Sequence, residues 1–166
     1  MSVLTLAPGA VRDEVDEPES NVNDDEFGEF VRNTLFPESH YILVKKTRNY
    51  SNGEEEFFGS MREPDLKFQS RRNGREFYVE VKYCSMFHNG VIDWCQPLQL
   101  KRYQTLHARV PVYIVVGIGG QPGAPYQISL IPMEDLGLIR LYPSILKEYR
   151  VSKDCRITEE KLLMVS

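Results

Sequence analysis

Cysteine is scarce in this sequence, and the three present, Cys84, Cys95 and Cys155, follow no paired spacing. That excludes a disulfide framework and reads as the reduced thiols of a cytoplasmic protein. Cys84, His88 and Cys95 also fall short of a zinc centre, which needs a fourth ligand and a recognised spacing. Long apolar runs are lacking too. No segment approaches the roughly 18 residues of a membrane-spanning helix, and no basic stretch followed by an apolar run marks a secretory signal. The glycines at 117, 119 and 120 are not followed by Gly-Lys-Ser/Thr, so they form no phosphate-binding loop. With Pro122 and Pro125 they read as a turn. Neither an internal repeat, a zinc finger nor a helix-turn-helix is evident.

A surplus of positive charge is also missing: the formal net charge is −4. Its distribution matters more than its sum. Residues 1–26 hold eight acidic residues against one arginine, a net −7, whereas the remainder holds 19 basic and 16 acidic residues, a net +3. Residues 1–23 therefore read as a flexible acidic tail, either a plain solubilising leader or a phosphate mimic that competes for a basic site. Residues 24–166 read as a single domain, mildly basic, in which phosphate binding is permitted but not required. The 42% apolar content suffices for one core.

What the sequence does contain centres on Pro64 to Tyr83, PDLKFQSRRNGREFYVEVKY. Asn73-Gly74 predicts a hairpin with a two-residue type I′ turn. On the second arm Phe77, Val79, Val81 and Tyr83 alternate with Tyr78, Glu80 and Lys82, the period of a strand. Pairing Arg72 with Arg75 sets Lys67 opposite Glu80 and Asp65 opposite Lys82, with Glu80 on Asp65's diagonal. An Asp, a Glu and a Lys then share one face within roughly 5–8 Å. Two carboxylates so placed can hold a hard cation such as Mg²⁺, and a neighbouring ammonium can orient or deprotonate a water and offset phosphate charge. The plainer reading is two cross-strand ion pairs, Asp65–Lys82 and Lys67–Glu80, on a solvated face.

Pro64-Asp65 followed by Glu80-Val81-Lys82 resembles the PD-(D/E)XK motif of the restriction-endonuclease-like nucleases. Gln99 and Tyr103, four apart on a predicted helix, match the QxxxY pattern that follows the ExK strand in several branches of that superfamily. Asp93-Trp94-Cys95 and the Gln-rich start at Gln96 are similar to a segment of its short bacterial members. The resemblance spans roughly residues 24–131. It implies an α/β fold with an αβββαβ core, a mixed sheet of four to five strands flanked by helices. It also implies a Mg²⁺-dependent nuclease (Mn²⁺ as substitute) acting on nucleic acid, DNA above all. Asp65, Glu80 and the carbonyl of Val81 would bind metal, Lys82 would position and activate water, and Gln99 and Tyr103 would steady the site. Lys101 and Arg102 are the candidate contacts to a nucleic-acid backbone. Such members often carry a Glu on the first helix. Here that position falls on Gly28, with Glu26 and Glu29 flanking it. The alternative is therefore a non-catalytic nucleic-acid- or protein-binding module on the same fold, or a subunit completed by a homodimer mate or another partner.

Elsewhere the pattern predicts a helix from Asp24 to Phe36, with Asp24 or Asp25 as N-cap and Phe27, Phe30, Val31 and Leu35 as its buried stripe. A strand is expected over Tyr41–Arg48, then a polar loop from Asn49 to Ser60, which holds Asn52-Gly53. Cys84 to Gln96 reads as irregular, with Trp94 and Phe87 covering the core or rimming a cleft and Asp93 an unassigned acid near the site. A second helix follows over Pro97–Arg109, then a buried strand over Val112–Gly117. Another strand is expected over Tyr126–Ile131. Met133–Leu138 and Pro143–Tyr149 read as short helices, and Thr158–Val165 as a capping helix or frayed end.

Overall fold

The computed structural model describes residues 17–47 and 63–165. The expected loop over 49–60 lies outside the described residues, as do the first 16 residues. The chain is α/β, built on a six-stranded mixed sheet. Helix α1 (Glu17–Phe30) leads through a π-helical turn (Val31–Leu35) to β1 (Tyr41–Lys46), β2 (Leu66–Ser70) and β3 (Glu76–Cys84). A two-residue strand β4 (Ile92–Asp93) precedes α2 (Pro97–His107). Then come β5 (Val112–Gln121), β6 (Ala124–Pro132), a 3₁₀ turn (Met133–Asp135), β7 (Arg140–Leu141), α3 (Pro143–Glu148), β8 (Arg150–Val151) and α4 (Glu159–Met164). Sheet order is β1-β2-β3-β5-β6-β8, with β3 and β5 parallel and every other pair antiparallel. Chain order through β5, apart from the short β4, is helix, three strands, helix, strand. The sheet exceeds the expected four to five strands because the two-residue β8 pairs with β6 at its edge. β4 and β7 form a separate small ribbon.

Two apolar layers sandwich the sheet. Phe27, Val31 and Leu35 of the first helical segment pack with Phe68, Phe77, Val79 and Val81 on one face. On the other, Leu100 and Tyr103 of α2 and Leu146 of α3 pack with Tyr78, Ile114 and Val116. Alternation in β3 therefore sorts as the sequence predicts, its odd positions toward α1. Every residue from Val112 to Val116 is buried, as a central strand covered on both faces requires.

Two boundaries differ from expectation. α1 begins at Glu17, so Asp24 and Asp25 lie inside the helix rather than capping it, and the helical region takes in residues 17–23 of the expected tail. The glycines at 117, 119 and 120 belong to β5, not to a turn; the reversal comes at Pro122-Gly123. Close packing is one cause, and positive φ at Gly119 (68°) and Gly120 (67°) is the other. A Cβ on Gly117 would stand 2.6 Å from the Phe27 ring, and one on Gly119 would stand 2.8 Å from the Tyr126 ring. Gly117→Ala should accordingly destabilise the chain by about 1–3 kcal/mol through overpacking against α1. Urea unfolding checks it, and an unchanged midpoint would mean α1 does not press on β5 there.

Candidate functional site

The hairpin forms, but in a different register. Leu66 pairs with Val79 and Phe68 with Phe77, two residues away from the pairing a two-residue turn would give. The reason lies in the turn. Gly74 alone adopts positive φ (71°); Asn73 does not. Gly74 N–H donates to Ser70 O at 2.9 Å, Arg72 N–H donates to Ser70 Oγ at 3.1 Å, and Arg75 N–H donates to Asn73 Oδ1 at 2.9 Å. Arg71 to Gly74 thus form a four-residue loop closed by Ser70 and Arg75. A slip of two preserves every face, but it changes the partners. Lys67 sits opposite Tyr78, ion-paired to Glu76 at 2.8 Å, and Lys82 pairs with Asp24. Neither of the cross-strand ion pairs of the plainer reading forms. Continuing the ladder past its last bonded pair brings Asp65 level with Glu80.

β3 outruns β2 at this end, and carboxylates take over where the ladder stops. Val81 N–H donates to Asp65 Oδ2 at 2.9 Å, and Tyr83 N–H donates to Asp24 Oδ1 at 2.7 Å. Asp65 N–H in turn donates to Glu80 Oε2 at 3.2 Å. Because the N–H and C=O of a strand residue point to the same side, the carbonyl of Val81 faces the edge that Asp65 occupies.

Glu80 is 8% exposed and densely held. Tyr103 O–H donates to its Oε2 at 2.8 Å and Gln99 Nε2 to its Oε1 at 3.2 Å, while Gln99 Nε2 also reaches the Tyr103 hydroxyl oxygen at 2.9 Å. The Gln and Tyr of the QxxxY pattern therefore converge on the Glu of ExK. Gln99 doubles as part of the α2 capping box with Gln96, and Trp94 lies against the Tyr103 ring at 6.4 Å. Burial, then the negative charge of Glu80 and Asp65, raises the Tyr103 phenol, so it stays a donor.

The two acids perturb each other. Burial first, then the negative charge of Asp65, lifts Glu80 well above the ordinary carboxylate range. Asp65 is pushed up to about 6, chiefly by burial, partly offset by its bond from Val81 N–H. Asp65 N–H already reaches the Glu80 carboxylate, so the two acids are close neighbours and each raises the other's cost of ionising. Paired acids in such surroundings need either a proton or a cation between them. The donor set fits Mg²⁺: two carboxylates and a facing carbonyl, with water and phosphate to complete the shell. Among the described residues no group of three His, Cys, Asp or Glu side chains gathers as a metal cluster, so of these residues Asp65 and Glu80 alone would supply carboxylates.

Sequence reasoning missed one residue. Asp24, 9% exposed on α1, accepts from Lys82 Nζ at 3.2 Å. Burial opposes the charge on Lys82, but Asp24 outweighs it, and the lysine pKa rises. Burial also raises Asp24, with Lys82 offsetting part of the rise. The signal was available: Asp24 is in helical phase with Phe27, Val31 and Leu35, an acid in an otherwise apolar stripe. Gly28, at the position where the resemblance implies a Glu, instead lies against Val81, and Glu29 turns away to Lys46 at 2.8 Å.

The remaining candidates stand apart. Lys101 and Arg102 are exposed on α2; Arg102 is one turn from Gln99, whereas Lys101 lies on another side of the helix. Asp93 pairs with Arg140 at 3.1 Å instead of turning to the carboxylates. Burial pushes Cys95 up to about 12 and raises Cys84, as befits inert thiols. No helix among the described residues is long and apolar enough to cross a membrane. Compared with known proteins, the chain matches no family model, no curated protein and no solved structure.

Proposed function

We propose that this chain is a Mg²⁺-dependent nuclease of the PD-(D/E)XK kind, hydrolysing phosphodiesters of nucleic acid, with DNA as the first substrate to test. The observation that carries the reading is the facing Asp65–Glu80 pair, braced by Gln99 and Tyr103, with Lys82 two residues along the same strand. Asp65 and Glu80 would hold the cation, with the Val81 carbonyl beside them. When bound, Mg²⁺ supplies polarisation of the phosphoryl oxygens and acidification of a water. Lys82, its ammonium favoured by Asp24, orients the attacking water and offsets the charge of the phosphate. Gln99 and Tyr103 fix the carboxylate of Glu80 so that little reorganisation is needed on binding.

A non-catalytic binding module on the same fold takes its warrant from the glycine at position 28. Asp24 weakens that warrant, because α1 still delivers a carboxylate to the lysine. Incubation with single- and double-stranded DNA in Mg²⁺ or Mn²⁺ separates the two. The wild-type chain should cut, and Lys82→Ala and Asp65→Asn should each cut at least a hundredfold more slowly. Binding without cutting at every metal concentration would leave the module.

A further inference from the structure

A cleft of ≈ 360 Å³ opens directly beside Lys82, between α1 and the segment that follows β3, and none of the roles above uses it. We propose that it is a subsite for one unstacked nucleobase next to the phosphate at Lys82, which makes single-stranded nucleic acid the preferred substrate. The proposal rests on the nuclease reading for the phosphate at Lys82, and it adds the substrate class.

Three observations carry it. The first is position: Lys82 itself lines the cleft, so a strand with one phosphate at the ammonium has its neighbouring nucleoside at the cleft mouth. The second is lining. Among the described residues Lys82 is the only lysine or arginine in the wall, and the only carboxylate, Asp93, is already paired with Arg140 at 3.1 Å. Such a cleft suits an uncharged planar group better than a second phosphate. Met86, 61% exposed, and the exposed ring of His88 offer polarisable surface, while the Asn23 amide and Ser85 hydroxyl offer hydrogen bonds to a base edge. The third is rigidity. His88 and Val91 exchange N–H···O bonds of 3.1 Å across Asn89 (φ 51°) and Gly90 (φ 77°), a tight type I′ turn that fixes the wall carrying His88. At ≈ 360 Å³ the volume is that of a small-ligand pocket. A base within an intact duplex cannot enter without unstacking, whereas a single strand presents its bases freely.

The test is fluorescence anisotropy in EDTA with the full chain. The probes are a short single-stranded oligonucleotide, the same strand with one abasic position moved along it, and a blunt duplex. The single strand should bind roughly tenfold more tightly than the duplex, and one abasic position should cost a similar factor, the size of a lost stacking contact. The double variant Met86→Ala/His88→Ala should lose both differences. Both residues are surface-exposed, so a wild-type melting midpoint will certify its fold. Equal binding of duplex and single strand, or a double variant that still senses the abasic position, overturns the proposal. Cleavage in Mg²⁺ is followed in parallel. Cutting without strand preference refutes the cleft while the nuclease stands. Abasic-sensitive binding without cutting supports the cleft and refutes the hydrolase.

Discussion

Glu80→Gln should make the metal-free chain more stable at pH 8 while abolishing metal-dependent cleavage. In the folded protein Asp65 and Glu80 are both raised above ordinary carboxylates, Asp65 to about 6 and Glu80 well above its usual value. A raised acid contributes stability that is complete below its unfolded pKa and lost as pH climbs through its folded pKa. The metal-free wild type should therefore lose stability as pH climbs from about 4, near the ordinary carboxylate values, through about 6 and above, as the pair ionises together. Gln keeps one acceptor oxygen, for Tyr103 O–H and Asp65 N–H, its NH₂ group requires the Gln99 amide to turn and accept, and it carries no charge to repel Asp65. Its gain at pH 8 should be on the order of 1–3 kcal/mol, shrinking toward zero at about pH 4. Thermal melts in EDTA across that range measure it. Added Mn²⁺ should restore the wild type at pH 8 and do nothing for the variant. A variant less stable than wild type at pH 8 would show that repulsion between Asp65 and Glu80 is not what costs the wild type stability there.

The second large effect is expected at Asp24. Alanine there strips the partner from a mostly buried ammonium and leaves the Tyr83 N–H at the strand edge unbonded. Destabilisation of about 2–4 kcal/mol should follow, below the full cost of breaking a sealed ion pair because Lys82 retains some solvent. Asp24→Asn can still accept from Tyr83 N–H and should lose only about half as much. Both variants should cut DNA roughly a hundredfold more slowly, since in each the lysine loses the charge that holds it. Denaturant unfolding separates the two variants, and cleavage assays should not. An Asn variant with wild-type cleavage would reduce Asp24 to a structural cap.

How far the sequence foretold this site depends on which physics each residue obeys. The faces of β3 and the Gln99–Tyr103 pair were legible because periodicity alone decides them, at two residues for a strand and 3.6 for a helix. The register was not. It hung on whether Asn73-Gly74 closed a two-residue or a four-residue loop, and the Ser70 hydroxyl and carbonyl chose the longer one. That preference comes from hydrogen bonds three and four residues apart, which no dipeptide signal contains. Ironically, the two-residue type I′ turn does occur, at Asn89-Gly90, inside a stretch that lacks flanking alternation and so reads as irregular. Asp24 was hidden for a different reason. An acid near the expected start of a helix looks like an N-cap. Only the extra helical turns before it, beginning at Glu17, move it into the buried stripe beside Lys82. The glycines of β5 misled in the opposite sense, because they admit the rings of Phe27 and Tyr126 and give the strand its two positive-φ residues, Gly119 and Gly120, without reversing the chain.

The most direct test of the carboxylate centre is a crystal of the wild-type chain grown in Mn²⁺ near pH 8, read by anomalous scattering. One peak is expected within about 2.0–2.4 Å of an oxygen from Asp65 and an oxygen from Glu80. The Val81 carbonyl should border that peak and Lys82 should stay outside the ligand set. Absence of a peak there, or a peak held only elsewhere, would contradict the carboxylate centre.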